Sequence, residues 1–118
     1  MTEEEMRSVL KGVEQFLSGF DDVGSSAMSL TQLRLFLAVA ANEGQSGIEL
    51  STRVKVPRAT ATRHLLDLSD KLRSGDKGYG LILRDTDPQN LKTNRYYLSP
   101  KGKRFLMERT ERLLPLVS

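Results

Sequence analysis

Ser46-Gly47-Ile48-Glu49-Leu50-Ser51-Thr52-Arg53-Val54-Lys55-Val56-Pro57-Arg58-Ala59-Thr60-Ala61-Thr62-Arg63-His64-Leu65-Leu66-Asp67-Leu68 is the stretch on which the fold turns. Ser46 and Glu49 stand three apart, the spacing at which a helix-capping serine and a glutamate satisfy each other's backbone donors. They open a short helix over 47–55, with Ile48, Val54 and, in part, Leu50 as its buried positions. Val56-Pro57 then breaks the chain, because proline lacks an amide donor and suits the first turn of a new helix. That helix is predicted over about 57–72, with Ala61, Leu65, Leu68 and Leu72 as its core stripe. A short helix, a tight break and a longer helix make a helix-turn-helix.

The flanking sequence extends this unit. Upstream, a helix over 30–42 has the Ser29/Gln32 capping spacing. It carries one stripe of Leu30, Leu33, Phe36, Leu37 and Ala40 and an opposing one of Leu35 and Val39. A helix apolar on both sides is sandwiched, so this is the expected central core helix. Earlier still, Met6, Val9, Leu10, Val13, Phe16, Leu17 and Phe20 recur at three- and four-residue steps after a Thr2/Glu5 capping pair. This first helix, 1–20, must be covered by the domain or by a second subunit. Asp21-Asp22 and Gly24-Ser25-Ser26 form a loop after it.

Downstream the period changes. A loop at 74–78 leads to a strand over 81–84, a turn at Asp87-Pro88-Gln89-Asn90 and a strand over 94–98. Two short strands joined by a polar, proline-containing turn read as a β-hairpin. Ser99-Pro100 caps a last helix that continues through Phe105, Leu106, the Arg109 stem, Leu113 and Leu114, with Pro115 near its end. The order is helix, helix, helix, helix, hairpin, helix: a mostly α winged helix-turn-helix with a small β-hairpin, spanning 1–118 as a single domain, with 1–20 as a packing or dimerisation helix.

Composition narrows the function classes. The 118 residues contain no cysteine and one histidine, His64, so disulfide scaffolds, thiolate metal sites and cysteine nucleophiles are excluded and no metal or cofactor is expected. No apolar run reaches membrane-spanning length and no export signal opens the chain, so a cytoplasmic protein with no membrane partner is expected. The net charge is +3, but residues 1–30 carry −4 and residues 31–118 carry +7. A basic excess on one part of a chain suits a polyanionic partner, most simply nucleic acid.

The residue pattern locates that partner. On the fourth helix Ala59, Thr62, Arg63 and Leu66 face away from the core stripe, flanked by Thr60 and Asp67, with Arg58 at its start. Small residues allow close approach to a major groove, hydroxyls reach phosphates or base edges, and arginine pairs with guanine. Arg58, Thr60, Thr62 and Arg63 are therefore the candidate recognition residues. Residues 84–104 carry a net +4, and Lys92, Asn94 and Arg95 near the hairpin tip are the candidates for backbone or minor-groove contact. Tyr96 and Tyr97 alternate, one inward and one outward. Lys101, Lys103 and Arg104 oppose the dipole of the last helix, which suggests an external anion. His64, beside the core stripe, reads as a packing or hydrogen-bonding residue. No nucleophile–base pair, phosphate-cradling glycine loop or paired carboxylates suggest an enzyme.

From about residue 29 to residue 104 the chain resembles the MarR family of bacterial winged-helix regulators. The resemblance rests on Leu30-Thr31-Gln32-Leu33-Arg34-Leu35-Phe36-Leu37, Ile48-Glu49-Leu50-Ser51-Thr52-Arg53-Val54, Thr60-Ala61-Thr62-Arg63-His64-Leu65-Leu66-Asp67-Leu68, Gly80-Leu81-Ile82-Leu83-Arg84, Asp87-Pro88 and Leu98-Ser99-Pro100-Lys101-Gly102, in that order. It implies a prokaryotic, nucleoid-associated homodimer that binds double-stranded DNA at a roughly palindromic operator and represses transcription until a ligand or another signal relieves it. Asn90 and Lys92 stand where the family's wing usually has an aspartate and an arginine two apart, so no internal wing ion pair is expected. Family members generally continue into another long dimerisation helix. With the sequence ending at Ser118, dimerisation is expected to fall to the first helix and 105–116, through Val9, Val13, Phe16, Phe20 and Leu113. Two other readings are a plasmid or phage DNA-binding protein for replication or partition, and a winged-helix protein-interaction module that uses the Leu66 surface.

Overall fold

The computed structural model describes residues 1–20, 28–69 and 78–113. The expected loop at 21–26, the core position Leu72, most of the 74–78 loop, Leu114 and Pro115 lie outside these residues. The chain divides into two compact units, one of residues 1–28 and 104–118, the other of residues 29–103.

In the larger unit, α2 (Leu30–Ala41) starts where Ser29 Oγ accepts the Gln32 amide. Leu35, Phe36 and Val39 are fully buried and Leu33 nearly so, each such side chain being worth about 1.5–3 kcal/mol of transfer free energy. Burial on both sides is what a central core helix requires, but Leu30, at the first turn, is exposed. Strand β1 (Gln45–Ser46) follows. It is two residues long, too short to show a period, and the sequence pattern does not reveal it. Helix α3 (Gly47–Val54) has the complete capping box, with Ser46 N donating to Glu49 Oε1 at 3.1 Å and Glu49 N donating to Ser46 Oγ at 3.2 Å. Leu50 and Val54 are buried as expected, whereas Ile48 is exposed. The expectation for Ile48 fails because the first turn of α3 faces an open cleft.

The turn between the helices depends on Lys55, whose φ of 62° and ψ of 50° place it in the left-handed region. Its amide donates to the Thr52 carbonyl and Val56 N donates to the Ser51 carbonyl, closing α3 so that α4 (Arg58–Leu68) can begin at once. Pro57 is the residue before the helix and not its first helical residue, and it supplies no side-chain cap. Ala61, Leu65 and Leu68 are fully buried, the stripe that fixes which face of α4 remains outside.

The wing is the hairpin of β2 (Ile82–Asp87) and β3 (Asn90–Leu98). Both strands run farther toward the turn than alternation alone suggests, and β3 is irregular between its pairings with Thr86 and Asp87. β3 also pairs with β1 through Gln45↔Tyr96 and Ser46↔Arg95, giving a three-stranded antiparallel sheet in the order β1-β3-β2. Tyr96 is buried and Tyr97 half-buried beside Gly44. Helix α5 (Pro100–Thr110) starts at Ser99, whose Oγ accepts the Gly102 amide at 2.9 Å and donates to the Gly80 carbonyl at 2.6 Å. Lys101 Nζ donates to the Tyr79 carbonyl at 2.9 Å, so one of the cations at the start of α5 has an internal partner.

The smaller unit contains α1 (Glu3–Ser18), the residues of α5 from Arg104 on and a 3-10 turn, Glu111–Leu113. Thr2 and Glu5 form the predicted capping box. Phe20 packs edge-on against both Phe16 and Phe105, at centroid distances of 5.2 Å and 5.1 Å. Arg109 lies 3.5 Å over the Phe105 ring and donates through Nε to the Gly19 carbonyl. This ties the end of α1 to α5.

Candidate nucleic-acid interface

The turn geometry and buried stripe of α4 leave Arg58, Ala59, Thr62 and Arg63 exposed, with Thr60 half-buried. The helix has no side-chain cap, so its first amides are free to donate outward, the arrangement by which helix N-termini bind phosphate. Residues of α4, β3 and the β1–α3 junction meet there. Arg58 and Thr62 of α4, Lys92, Thr93, Asn94 and Tyr96 of β3, and Ser46, Gly47 and Ile48 at the start of α3 line one cleft of about 180 Å³. That is below the roughly 300–1,000 Å³ of enclosed small-molecule pockets, and its walls are mainly polar. A polyanionic backbone passing along it fits this geometry better than an enclosed ligand does.

The sequence-selected residues divide into three groups. Arg58, Thr62, Lys92 and Asn94, from segments 30 residues apart, share the cleft. Arg63 and Thr60 lie on α4 outside its lining. Arg95 is drawn inward. Its Nε donates to Asp87 Oδ2 at 3.0 Å, and its Nη1 donates to the Gly44 carbonyl at 2.8 Å and lies 3.5 Å from Glu49 Oε1. Among the described residues, Arg58, Arg63 and Lys92 have no such ion-pair partner. The wing thus contains an internal ion pair, Asp87–Arg95. This corrects the expectation drawn from Asn90 and Lys92: the pair exists at different positions, closed by the register of the hairpin.

The carboxylates record the same contacts. The Gln89 amide, with Arg95 and the Asn90 amide adding to it, holds the Asp87 carboxyl below its ordinary range, against a desolvation that opposes it. Ser46 does the same for Glu49 through its amide and hydroxyl, and Arg95 contributes. On the inner side of α4, His64 is half-buried with its Nδ1 enclosed and, among the described residues, without a hydrogen-bond partner. Burial and the neighbouring Arg63 charge lower its pKa, partly offset by Asp67. Of the two expected roles, packing or hydrogen bonding, this favours packing, since Nδ1 has no hydrogen-bond partner among the described residues.

Of the residues expected to dimerise, Phe16 and Phe20 are buried in the smaller unit, Val9 and Leu113 are half-buried and Val13 is exposed. Sequence reasoning did not separate from them a second stripe on α1, Met6, Leu10, Val13 and Leu17, each between 38% and 55% exposed. The 4-3-4 spacing was the available signal. No helix among the described residues is long and apolar enough to cross a membrane.

Helix-turn-helix, three-stranded wing and flanking helices define the winged-helix fold of MarR type. Solved structures agree. The chain matches the transcriptional repressor CouR bound to a 23-mer DNA duplex with a TM-score of 0.64 and 23% identity, over 92% of this chain and 68% of that one. The Staphylococcus aureus MepR–DNA complex gives 0.65 and 17%, over 92% and 77%. A MarR transcriptional regulator from Methanosarcina mazei Go1 gives 0.65 and 16%, over 98% and 78%. By sequence, no family model and no curated protein matches the chain.

Proposed function

We propose that this protein is a sequence-specific, double-stranded-DNA-binding transcriptional regulator that acts as a dimeric repressor on the nucleoid, without enzymatic activity. The observation that carries the reading is the cleft itself. Two cations with no ion-pair partner among the described residues, Arg58 and Lys92, and the polar side chains of Thr62 and Asn94 converge there from α4 and the wing. In this reading α4 enters the major groove, with Arg63 and Thr62 reaching base edges and Thr60 and Arg58 positioning the backbone. Lys92 and Asn94 follow a phosphate strand beside the groove. Occupation of an operator blocks polymerase. That CouR and MepR were each solved with DNA adds to this assignment.

Fluorescence anisotropy with mixed-sequence duplex DNA across a salt series tests the reading. Binding should weaken steeply with salt, because each neutralised phosphate releases counterions. Arg63→Ala should cost about 1–3 kcal/mol and relax preference at one base pair of a selected operator. No binding at low salt would overturn the DNA assignment and leave the surface to a protein partner.

A further inference from the structure

Besides the β1–β3 pairing, one side chain of the wing, Arg95, reaches both the turn before β1 and helix α3. Arg95 lies in β3 opposite Ser46 of β1 and Asp85 of β2, so its backbone sits where all three strands meet. Its guanidinium then collects oxygens from three separate places: Asp87 at the end of β2, the Gly44 carbonyl ahead of β1, and Glu49 in the first turn of α3. Neither carboxylate is a loose surface group. Asp87 Oδ1 accepts the Gln89 amide inside the hairpin turn, and Glu49 Oε1 is also the acceptor that caps Ser46. A planar guanidinium with donors in a fixed fork can satisfy this set, whereas a lysine ammonium at the end of a flexible stem cannot hold the same geometry.

We propose that Arg95 is a positioning residue, which locks the wing against α3 so that Lys92 and Asn94 stand across the cleft from Arg58 and Thr62, and which does not itself contact the nucleic acid. The inference rests on the DNA reading of that cleft. Arg95, Asp87 and Glu49 together carry a net charge of −1, so the guanidinium offers a passing phosphate no net attraction. Lys92 takes no part in the clamp and remains available for a phosphate.

The sign of one substitution separates positioning from contact. If Arg95 bound phosphate, Asp87 would compete with DNA for it, and Asp87→Asn would tighten binding. If Arg95 positions the wing, Asp87→Asn and Arg95→Gln both weaken binding to mixed-sequence duplex DNA, each by about tenfold, and the double variant is no weaker than the weaker single, because both remove one shared interaction. Amide hydrogen exchange over residues 88–94 in the free protein should accelerate in both variants while thermal melting stays cooperative. Tighter binding by Asp87→Asn, additive losses, or unchanged exchange in the wing would overturn the proposal. If the wild-type protein binds no duplex at any salt, the DNA reading fails. In that case accelerated exchange in both variants would still uphold the clamp, and unchanged exchange would overturn it as well.

Discussion

A hydrogen atom can be the most consequential side chain in a small fold. Gly102 sits in the first turn of α5, where its amide is held by Ser99 Oγ, and a Cβ built on it runs into the Leu81 carbonyl group. That carbonyl is not free to retreat, because it accepts the Ser99 amide at 3.0 Å, and Leu81 itself is buried. Overpacking against backbone that cannot give way costs about 1–3 kcal/mol. Gly102→Ala should therefore lower the thermal midpoint by several degrees, measured by circular dichroism against Lys103→Ala, an exposed neighbour expected to change little. An unchanged midpoint would mean that the α5 start shifts without cost. The motif Ser99-Pro100-Lys101-Gly102 marks a helix start in the sequence, but the reason for glycine within it is visible only when β2 and α5 are brought together. Lys55 is similar. Its left-handed backbone closes the helix-turn-helix without the glycine that usually signals such a turn.

At the scale of elements, α4 has two faces under different constraints. Among the described residues, its outer-face cations Arg58 and Arg63 have no ion-pair partner, and on its inner face the enclosed His64 Nδ1 has no hydrogen-bond partner. Burial lowers the His64 pKa from its ordinary value near 6.5. The unfolded chain then binds a proton at a higher pH than the fold does, so stability falls as pH drops below about 6.5 and levels off below the folded value. His64→Leu should flatten the thermal midpoint between pH 7.5 and 5.5 without removing the acid loss below about pH 4.5. Among the described residues Glu5, Glu49 and Asp87 contribute to that lower limb, because their lowered values make them stabilising only while ionised. An identical slope in wild type and variant between pH 7.5 and 5.5 would remove His64 from the account. The elements were legible in proportion to how local their causes are. Thr2/Glu5 and Ser46/Glu49 announce helices through spacings of three residues, and Ala61, Leu65 and Leu68 fix the inner face of α4 by period alone. The two residues of β1, the exposure of Ile48 and the Gly44 and Glu49 partners of Arg95 depend on β3 lying beside β1 and α3, a contact between segments some 50 residues apart. Composition and periodicity do not encode that register, and for the same reason the cleft could be inferred as two separate basic regions but not as one site.

For the molecule as a whole, the proposed dimer requires an unpartnered face, and α1 supplies one. Phe16 and Phe20 are already used within the smaller unit. Met6, Leu10, Val13 and Leu17 are not, and their steps of four, three and four residues form a continuous seam of the kind helices use to pair. In an antiparallel pairing with a second copy, centred between Lys11 and Gly12, Leu10 meets Val13 and Met6 meets Leu17 across the axis. Arg7 then lies beside Glu14 of the second copy on both flanks. Among the described residues Arg7 has one exposed i,i+4 contact, with Glu3 at 3.5 Å, worth little in water, so exchanging it for Glu14 costs little. Leu10 is 55% exposed, and Leu10→Glu should leave the helix content of the isolated chain unchanged while placing two carboxylates against each other at the seam. The expected result by sedimentation equilibrium is a dimeric wild type and a monomeric variant. On a duplex with two half-sites about one helical turn apart, the variant should bind at least about tenfold more weakly, because the second half-site is no longer an intramolecular event. On a single half-site the two proteins should bind alike, since α4 and the wing are untouched. A variant that stays dimeric would move the interface away from α1, and a monomeric wild type would remove the two-fold operator from the proposed mechanism.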